Sequence, residues 1–269
     1  MKKFLNDVDN FLYESLSGFA EAHKDIVHVN FDPFYVTRNN TNPNKVLLVS
    51  GGGSGHEPLH TGYIGQGMLD VACPGHIFTS PTPDQMIAAI EYCKPENGVL
   101  FIVKNYSGDV MNFEMAAEMI SSEHKTILIN DDAAVINSSY TEGRRGVAGT
   151  VIVEKVVGSL AEDGGELESC HRLGEKVNRN CSSIGVALTS CTIPAAGKTT
   201  FDISESDIEF GVGIHGEPGR KREKIRDADS IVGEMLQVIY KDFEDKNLAL
   251  DASSEVLLLI NGFNSTPLS

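Results

Sequence analysis

The chain lacks the features of a membrane or secreted protein. Its apolar runs, such as residues 46–49 and 99–103, are brief and interrupted by glycine, so none could span a bilayer. The amino terminus has two lysines but no apolar stretch behind them, unlike a secretory signal. We therefore expect a soluble, cytoplasmic protein.

Positive charge is scarce. Lys and Arg number 22 against 38 Asp and Glu, which leaves a formal charge of -16 over 269 residues. Nucleic acids and anionic membranes attract clustered Lys and Arg, so neither is an expected partner.

Disulfide patterns are also missing, and the signs of a metal site are weak. The five cysteines are odd in number, widely spaced and without a Cys-x-x-Cys pair, so we expect them to be reduced and mostly buried. The eight histidines include one His-Glu-x-x-His spacing, at residues 56–60, but Pro58 inside it is incompatible with the helix on which such a spacing binds zinc. The sequence therefore predicts no metal site.

What is present is an alternation of strand-like and helix-like segments, which is typical of a largely parallel sheet. Such sheets bind ligands beyond the carboxyl ends of their strands, so the polar segments that follow the strands should meet at one crevice, lined by residues 50–58 and 104–109. The predicted strands are residues 46–49, 99–103 and 126–129, and the predicted helices are 9–22, 84–92, 112–122, 150–161 and 167–180.

A second unit follows a predicted boundary near Cys181. The overall prediction is an α/β fold of two α/β domains: residues 1–182, with a largely parallel or mixed sheet covered by helices, and residues 183–269, smaller and incomplete. In the second domain we predict strands at 184–188, 208–214 and 256–260 and a helix at 230–240.

The densest motif is SGGGSGHEP at residues 50–58. Its glycines let the backbone approach a small ligand closely and present N–H donors, with His56 on the same turn. The alternative is a tight connection with a solvent-exposed histidine. No Walker A loop is present, because residues 192–199 lack its first glycine, and the dinucleotide-binding pattern is met only loosely by Gly51 and Gly53.

Two further motifs carry reactive side chains. KNYSGD at residues 104–109 supplies Lys104 and Asp109; an aspartate can accept the proton of a hydroxyl that attacks phosphorus, although aspartate also serves turns. GVGIHGEPG at 211–219 places His215 beside glycines, where an imidazole can add to a carbonyl; taken singly, it could be a surface histidine. Its likeness to GHEP at 55–58 favours one shared site.

With these motifs the sequence closely resembles the K subunits of phosphotransferase-dependent dihydroxyacetone kinases along essentially the whole chain. The matching stretches are SGGGSGHEP at 50–58, FTSPTPD at 78–84, KNYSGD at 104–109, GRRGVAGT at 143–150 and GVGIHGEPG at 211–219. Several long motifs in the same order are far more specific than any one of them.

The resemblance implies roles for individual residues. His215 would form a covalent hemiaminal with the ketone, and Asp109 and His56 would act as acid and base at the substrate hydroxyls. The substrate-binding positions would be Gly53, Ser54, Gly55 and Lys104, together with His56, Asp109 and His215. A covalent bond to the carbonyl carbon supplies affinity that a small polyol lacks, and it rejects glycerol.

The resemblance also implies partners. The chain itself would bind no cofactor; an L subunit would carry ADP or ATP with magnesium, an M subunit of the phosphotransferase system would donate phosphate, and this chain would form a homodimer. Two alternatives remain: a co-activator of transcription that binds dihydroxyacetone without catalysis, which would need His215 too, and a generic sugar-phosphate enzyme, which lacks nucleotide or metal signals.

Two features lie outside these motifs. Relatives of this type continue past residues 264–269 into further sheet and helix, so we expect the chain to be a shortened form. Residues 220–226 hold five basic side chains, which predict a solvated loop or, alternatively, a contact with the phosphates of the partner subunit.

Overall fold

The fold is described by a computed structural model covering residues 4–135, 143–248 and 250–262. The first lysines of the chain and the segment 264–269 discussed above lie outside these ranges. Among the helices in the described ranges, none combines the length and the apolar character needed to cross a membrane.

A six-stranded mixed sheet is the centre of the fold, as the sequence predicts. Its spatial order is β1-β2-β4-β3-β5-β6, in which β4, β3, β5 and β6 run parallel and the β1-β2 hairpin is antiparallel at one edge. The strands are β1 (Val27–Phe31), β2 (Phe34–Arg38), β3 (Leu47–Ser54), β4 (Val71–Ile77), β5 (Val99–Lys104) and β6 (His124–Ile129).

Helices cover both faces of the sheet. Alternate residues of β5 point to opposite sides: Leu100 and Ile102 join one core cluster, and Phe101 and Val103 join the other. The first cluster packs against α1 (Phe11–Ala22), α4 (Gly149–Glu162) and α5 (Leu167–Arg179), and the second against α2 (Pro83–Cys93) and α3 (Ser107–Met119). The five helices predicted for this region are confirmed.

The glycine-rich motif is not a loop throughout, contrary to prediction. Strand β3 continues to Ser54, and Gly51 pairs in register with Cys73 of β4. A Cβ at Gly51 would lie 2.6 Å from the Cys73 carbonyl oxygen, so only glycine allows this approach. The turn itself starts at Gly55.

Helix α3 also begins earlier than predicted. It starts at Ser107 directly after β5, so that Asp109 lies in the first helical turn and not in a loop. The Ser-Gly-Asp sequence is typical of a turn, which is why periodicity placed the start at residue 112. The site motif is thus a strand end joined to a helix N-terminus by two residues.

The second part of the chain forms small antiparallel sheets and one helix. A three-stranded sheet has the order β11-β10-β7, and β8 pairs with β9. The elements are β7 (Val186–Ala187), β8 (Thr192–Ile193), β9 (Lys198–Thr199), β10 (Asp207–Phe210), β11 (Lys221–Lys224) and α6 (Ala228–Asp245). The predicted helix at 230–240 is confirmed and is longer, whereas the domain boundary near Cys181 stays a prediction.

Three predictions for this part were wrong. The strand predicted at 208–214 ends at Phe210, because the following Gly211 has φ +80°. The basic run is a strand, β11, and not a loop. Residues 256–260 are not a strand: their apolar side chains, from Leu259 at 48% to Ile260 at 86%, are exposed, because the described residues offer them no strand to pair with.

Candidate functional site

Four aromatic rings meet where β3 and β5 end side by side. Their centroids lie 4.8 Å apart for His56 and His215, 4.6 Å for Tyr106 and His215, and 4.7 Å for His56 and Phe78. The Phe78 ring also meets His215 edge-on at 5.6 Å. The two histidines from similar motifs, 159 residues apart in numbering (215 − 56), are therefore brought together, as the sequence predicts.

Within the described ranges, the His215 ring is hydrogen-bonded at Nδ1. Its Nδ1 lies 2.9 Å from Oε1 of Glu217, and its backbone N–H donates to Oε2 of the same carboxylate at 2.9 Å. Burial opposes ionisation of Glu217, but the hydrogen bond and charge of His215 and the hydrogen bonds from backbone N–H groups together outweigh it, and the pKa of the carboxyl is lowered. An ionised Glu217 places the imidazole proton on Nδ1 and leaves the Nε2 lone pair available.

His56 is a buried, neutral imidazole. Burial, with the nearby His215 and Lys104 adding to it, lowers the pKa of His56 to about 2. Its Nε2 has no hydrogen-bond partner within the part of the chain that the structure describes. An unpartnered buried nitrogen of this kind is suited to bond a polar ligand.

Asp109 lies in the first turn of α3, where the helix dipole favours an anion. The residue is 3% exposed, and its Oδ1 finds no hydrogen-bond partner among the described residues. Its charge favours the protonated form of the nearby Lys104. Asp109 therefore offers a free carboxylate oxygen next to a cation.

Lys104 ends β5 and is 1% exposed. Its Nζ lies 2.6 Å from Nε2 of His60, and Nδ1 of His60 lies 2.9 Å from Oε1 of Glu154 on α4. Ser50 joins them, with its Oγ 3.1 Å from Nδ1 of His60 while it donates to the Ile102 carbonyl. The predicted binding residue is thus the outer end of a buried polar array.

The other predicted residues of the glycine-rich motif present backbone groups. The Ser54 hydroxyl donates to the Gly75 carbonyl at 2.7 Å, inside the sheet. Gly53 is the preceding residue of β3, and the Gly55 N–H donates to the Glu57 carboxylate at 3.0 Å. The geometry does not bring the Ser54 side chain to the rings.

The loop that carries His215 is tied to the first sheet by Arg145. This arginine is 1% exposed, its side chain pairs with Asp132 at 2.6 Å, and it donates to the Gly211 carbonyl at 2.8 Å. Arg145, from the segment after β6, therefore supports the His215 loop through its contact with Gly211. Among the described residues, no group of three or more His, Cys, Asp or Glu is placed to hold a metal ion.

Sequence reasoning missed several members of the site. Tyr106, Phe78 and Glu217 stand within the motifs quoted above, and only their roles were missed. His60 and Glu154 are 94 residues apart, and no local pattern pairs them. Together the described groups can do two things: add a free imidazole nitrogen to an electrophilic carbon, and accept the proton of a hydroxyl held near Asp109.

Comparison with known proteins assigns the family. The Dak1 domain model matches residues 17–269. The dihydroxyacetone-binding subunit DhaK of a PEP-dependent dihydroxyacetone kinase of Escherichia coli is 46% identical over 292 aligned residues, which cover 100% of this chain and 82% of the relative. The corresponding subunit of the PTS-dependent dihydroxyacetone kinase 1 of Listeria innocua is 47% identical, covering 100% and 81%.

Solved structures agree on the fold. The native dihydroxyacetone kinase of C. freundii superposes with a TM-score of 0.82 at 33% identity, covering 90% of this chain and 45% of that longer one. The dihydroxyacetone kinase operon co-activator Dha-DhaQ gives a TM-score of 0.80 at 31% identity, covering 87% and 72%. The chain therefore belongs to the Dak1 family.

Proposed function

We propose that this chain binds dihydroxyacetone covalently on His215 and presents one of its hydroxyls for phosphorylation. The observation that carries the proposal is the Nδ1 contact of His215 with Glu217, which leaves Nε2 free beside the buried His56. Three relatives at 43–47% identity are named as dihydroxyacetone-binding subunits, which supports the choice of ligand.

The covalent step adds the whole ketone to the imidazole. The Nε2 lone pair attacks the ketone carbon, the carbonyl π electrons move to oxygen, and that oxygen takes up one proton from solvent. The Nδ1 proton passes to Glu217 and from there to solvent, so that protons balance, the hemiaminal is neutral and no water is lost. Glycerol has no carbonyl and cannot undergo this step.

The phosphoryl step requires a base at the bound hydroxyl. His56, whose protonation is strongly disfavoured, is suited to a neutral hydrogen bond, and so we assign proton acceptance to Asp109. Holding the hydroxyl in place for in-line attack on phosphorus is the main contribution a protein makes to such transfers.

The phosphate source lies on other polypeptides in this proposal. An L subunit would carry ADP or ATP with magnesium, and an M subunit of the phosphotransferase system would supply phosphate; this chain would bind no cofactor. Relatives named PEP-dependent and PTS-dependent support the class of donor. A homodimer, a cytoplasmic location and a role in glycerol metabolism complete the proposal and rest on the resemblance alone.

A co-activator function is the second candidate, because one structural neighbour is named as the co-activator of a dihydroxyacetone kinase operon. Both candidates require ligand binding, and only one requires phosphoryl transfer. The free Asp109 oxygen favours the kinase, since it can accept the proton of the hydroxyl that attacks phosphorus.

Two measurements on the same protein test the proposal. Intact mass spectrometry with saturating dihydroxyacetone should show a gain of one ligand mass without loss of water, and no gain in His215→Asn. Mixing the chain with an ADP-loaded L subunit and its donor should yield dihydroxyacetone phosphate. If the adduct forms but partners of known activity give no dihydroxyacetone phosphate, the co-activator function is favoured. If the chain binds the ligand without forming any adduct, the covalent step is overturned.

A further inference from the structure

The buried pair His60 and Glu154 has no part in the chemistry proposed above, yet it reaches the site through its hydrogen bond with Lys104. The residues are 5% and 0% exposed, respectively, and both lie behind the glycine-rich strand end. Buried polar groups of this kind are costly unless they are bonded, so their retention calls for a reason.

The direction of each hydrogen bond in this cluster follows from chemistry. A charged lysine can only donate, so Nε2 of His60 accepts from Lys104 Nζ at 2.6 Å. The imidazole proton is then on Nδ1 and is donated to Oε1 of Glu154 at 2.9 Å. Burial, reinforced by the charge of Lys104, lowers the pKa of His60 well below its usual value and keeps the ring neutral.

Lys104 lies between two carboxylates. Burial lowers the pKa of Lys104, and the charges of Asp109 on α3 and Glu154 on α4 act in the opposite direction. Burial also raises the pKa of Glu154 to about 8, against the charge of Lys104. His56 and His60 face the ammonium as neutral rings. The ammonium nevertheless forms no ion pair with Asp109 in the described parts of the chain, whereas it bonds His60 on the interior side. Glycine at position 52 leaves room for the Lys104 side chain to point to the interior, because a Cβ there would lie 2.6 Å from Nζ.

We infer that His60 and Glu154 are positioning residues: together they hold the Lys104 ammonium on the interior side of the glycine-rich strand end and so keep Oδ1 of Asp109 free for the substrate hydroxyl. This inference rests on the proposed function and adds two residues to it. Without the His60 acceptor, Lys104 turns towards Asp109, whose charge acts on the ammonium more strongly than that of Glu154, and the base becomes engaged.

The decisive comparison is between His60→Leu, which removes the acceptor, and His60→Gln, whose amide keeps an acceptor and a donor. With the full kinase system, His60→Leu should lower kcat by about 10- to 100-fold, the scale of a misplaced catalytic group. Adduct formation on His215 should persist, because the rings that contact His215 are those of His56, Phe78 and Tyr106 and not that of His60. His60→Gln should restore kcat to within about tenfold of the wild type.

A second cycle shows whether His60 acts through Lys104. In the Lys104→Met background, where no ammonium remains to be held, adding His60→Leu should change kcat by no more than about twofold, since coupled residues are not additive. Full additivity of the two substitutions would overturn the inference. Should His60→Leu fail to fold, the pair Glu154→Gln and Thr150→Val tests the far end of the array.

Thr150 is a matched control because it is fully buried on the same helix and its hydroxyl donates to the Val147 carbonyl at 2.7 Å. Glu154→Gln should lower kcat and move the acid limb of its pH profile, while Thr150→Val should leave both unchanged. Equal effects of the two would mean a purely structural role for Glu154. A wild-type chain without an adduct or product would instead refute the proposed function, which separates the two failures.

Discussion

Glu217 holds both the ring and the backbone of His215, with its two carboxylate oxygens each 2.9 Å from a nitrogen of that residue. One side chain thereby fixes both the tautomer and the orientation of the proposed nucleophile. The arrangement is the same as that of a carboxylate which orients a catalytic histidine in other enzymes.

Replacing this carboxylate should weaken adduct formation. In Glu217→Gln the neutral amide can no longer take up the Nδ1 proton, and hydrogen bonds to charged groups contribute about 1.5–3 kcal/mol, so the Kd for dihydroxyacetone should rise by about 10- to 100-fold. Titration calorimetry measures it. Glu205→Gln, an exposed substitution of the same kind, is the control. Equal affinity of the two variants would argue against the role of Glu217.

The main sheet could be predicted only in part. β3, β5 and β6 are apolar runs that end in polar motifs, and their burial makes them visible in the sequence. Strand β4 was missed because Pro74 and Gly75 interrupt it, and both residues argue against a strand interior. The hairpin of β1 and β2 was missed because its apolar and polar residues give no run long enough to stand out.

The candidate site divides in the same way. His56, Asp109 and His215 could be named because glycine-rich motifs surround them in the sequence. His60 and Glu154 could not, because their contact exists only after α4 packs on the sheet. A contact between two single polar residues far apart in the chain produces no pattern in one sequence. A backbone segment that must approach a ligand closely requires glycines, and these are visible in the sequence.

Acid should destabilise the fold through Glu162. The hydrogen bond from Arg38, with Lys45 nearby, lowers the pKa of this carboxyl from 4.5 to about 2. A carboxyl whose pKa is lower in the folded state contributes its full stabilisation of the fold above pH 4.5. That contribution is lost as the pH falls towards about 2. The free energies of unfolding of the wild type and of Glu162→Gln, measured in urea, should become equal as pH falls through that interval. A difference that stays constant with pH would contradict the assignment.

Removing Lys45 should destabilise the protein severely. Its Nζ bonds both oxygens of Asp70 at 2.8 Å, and the two side chains are 3% and 1% exposed. In Lys45→Met the buried Asp70 carboxylate loses its ammonium partner. Breaking a buried ion pair in this way costs roughly 3–5 kcal/mol of stability. Lys24→Met is the matched control, because its pair with Glu21 is exposed and should change the unfolding free energy by about 0.5 kcal/mol or less. Similar losses in both variants would refute the distinction.

The basic run 220–226 has less free charge than its composition indicates. Lys221 pairs with Glu234 at 2.8 Å and Arg222 with Glu209 at 2.9 Å, and Lys224 and Arg226 are also paired. The Arg220 side chain has no ion pair with any residue in the described ranges, and it borders a surface groove of about 470 Å³.

Arg220→Ser should therefore weaken association with the proposed nucleotide-carrying subunit more than any other single substitution in this run. An unpaired surface cation acts mainly on the association rate, so we expect kon to fall by about tenfold at low salt and the difference to shrink as salt is added. Surface plasmon resonance with the ADP-loaded subunit measures it. Arg172→Ser, an exposed charge on α5, should leave kon unchanged. Equal rates for both variants at every salt concentration would show that the run faces solvent and not the partner.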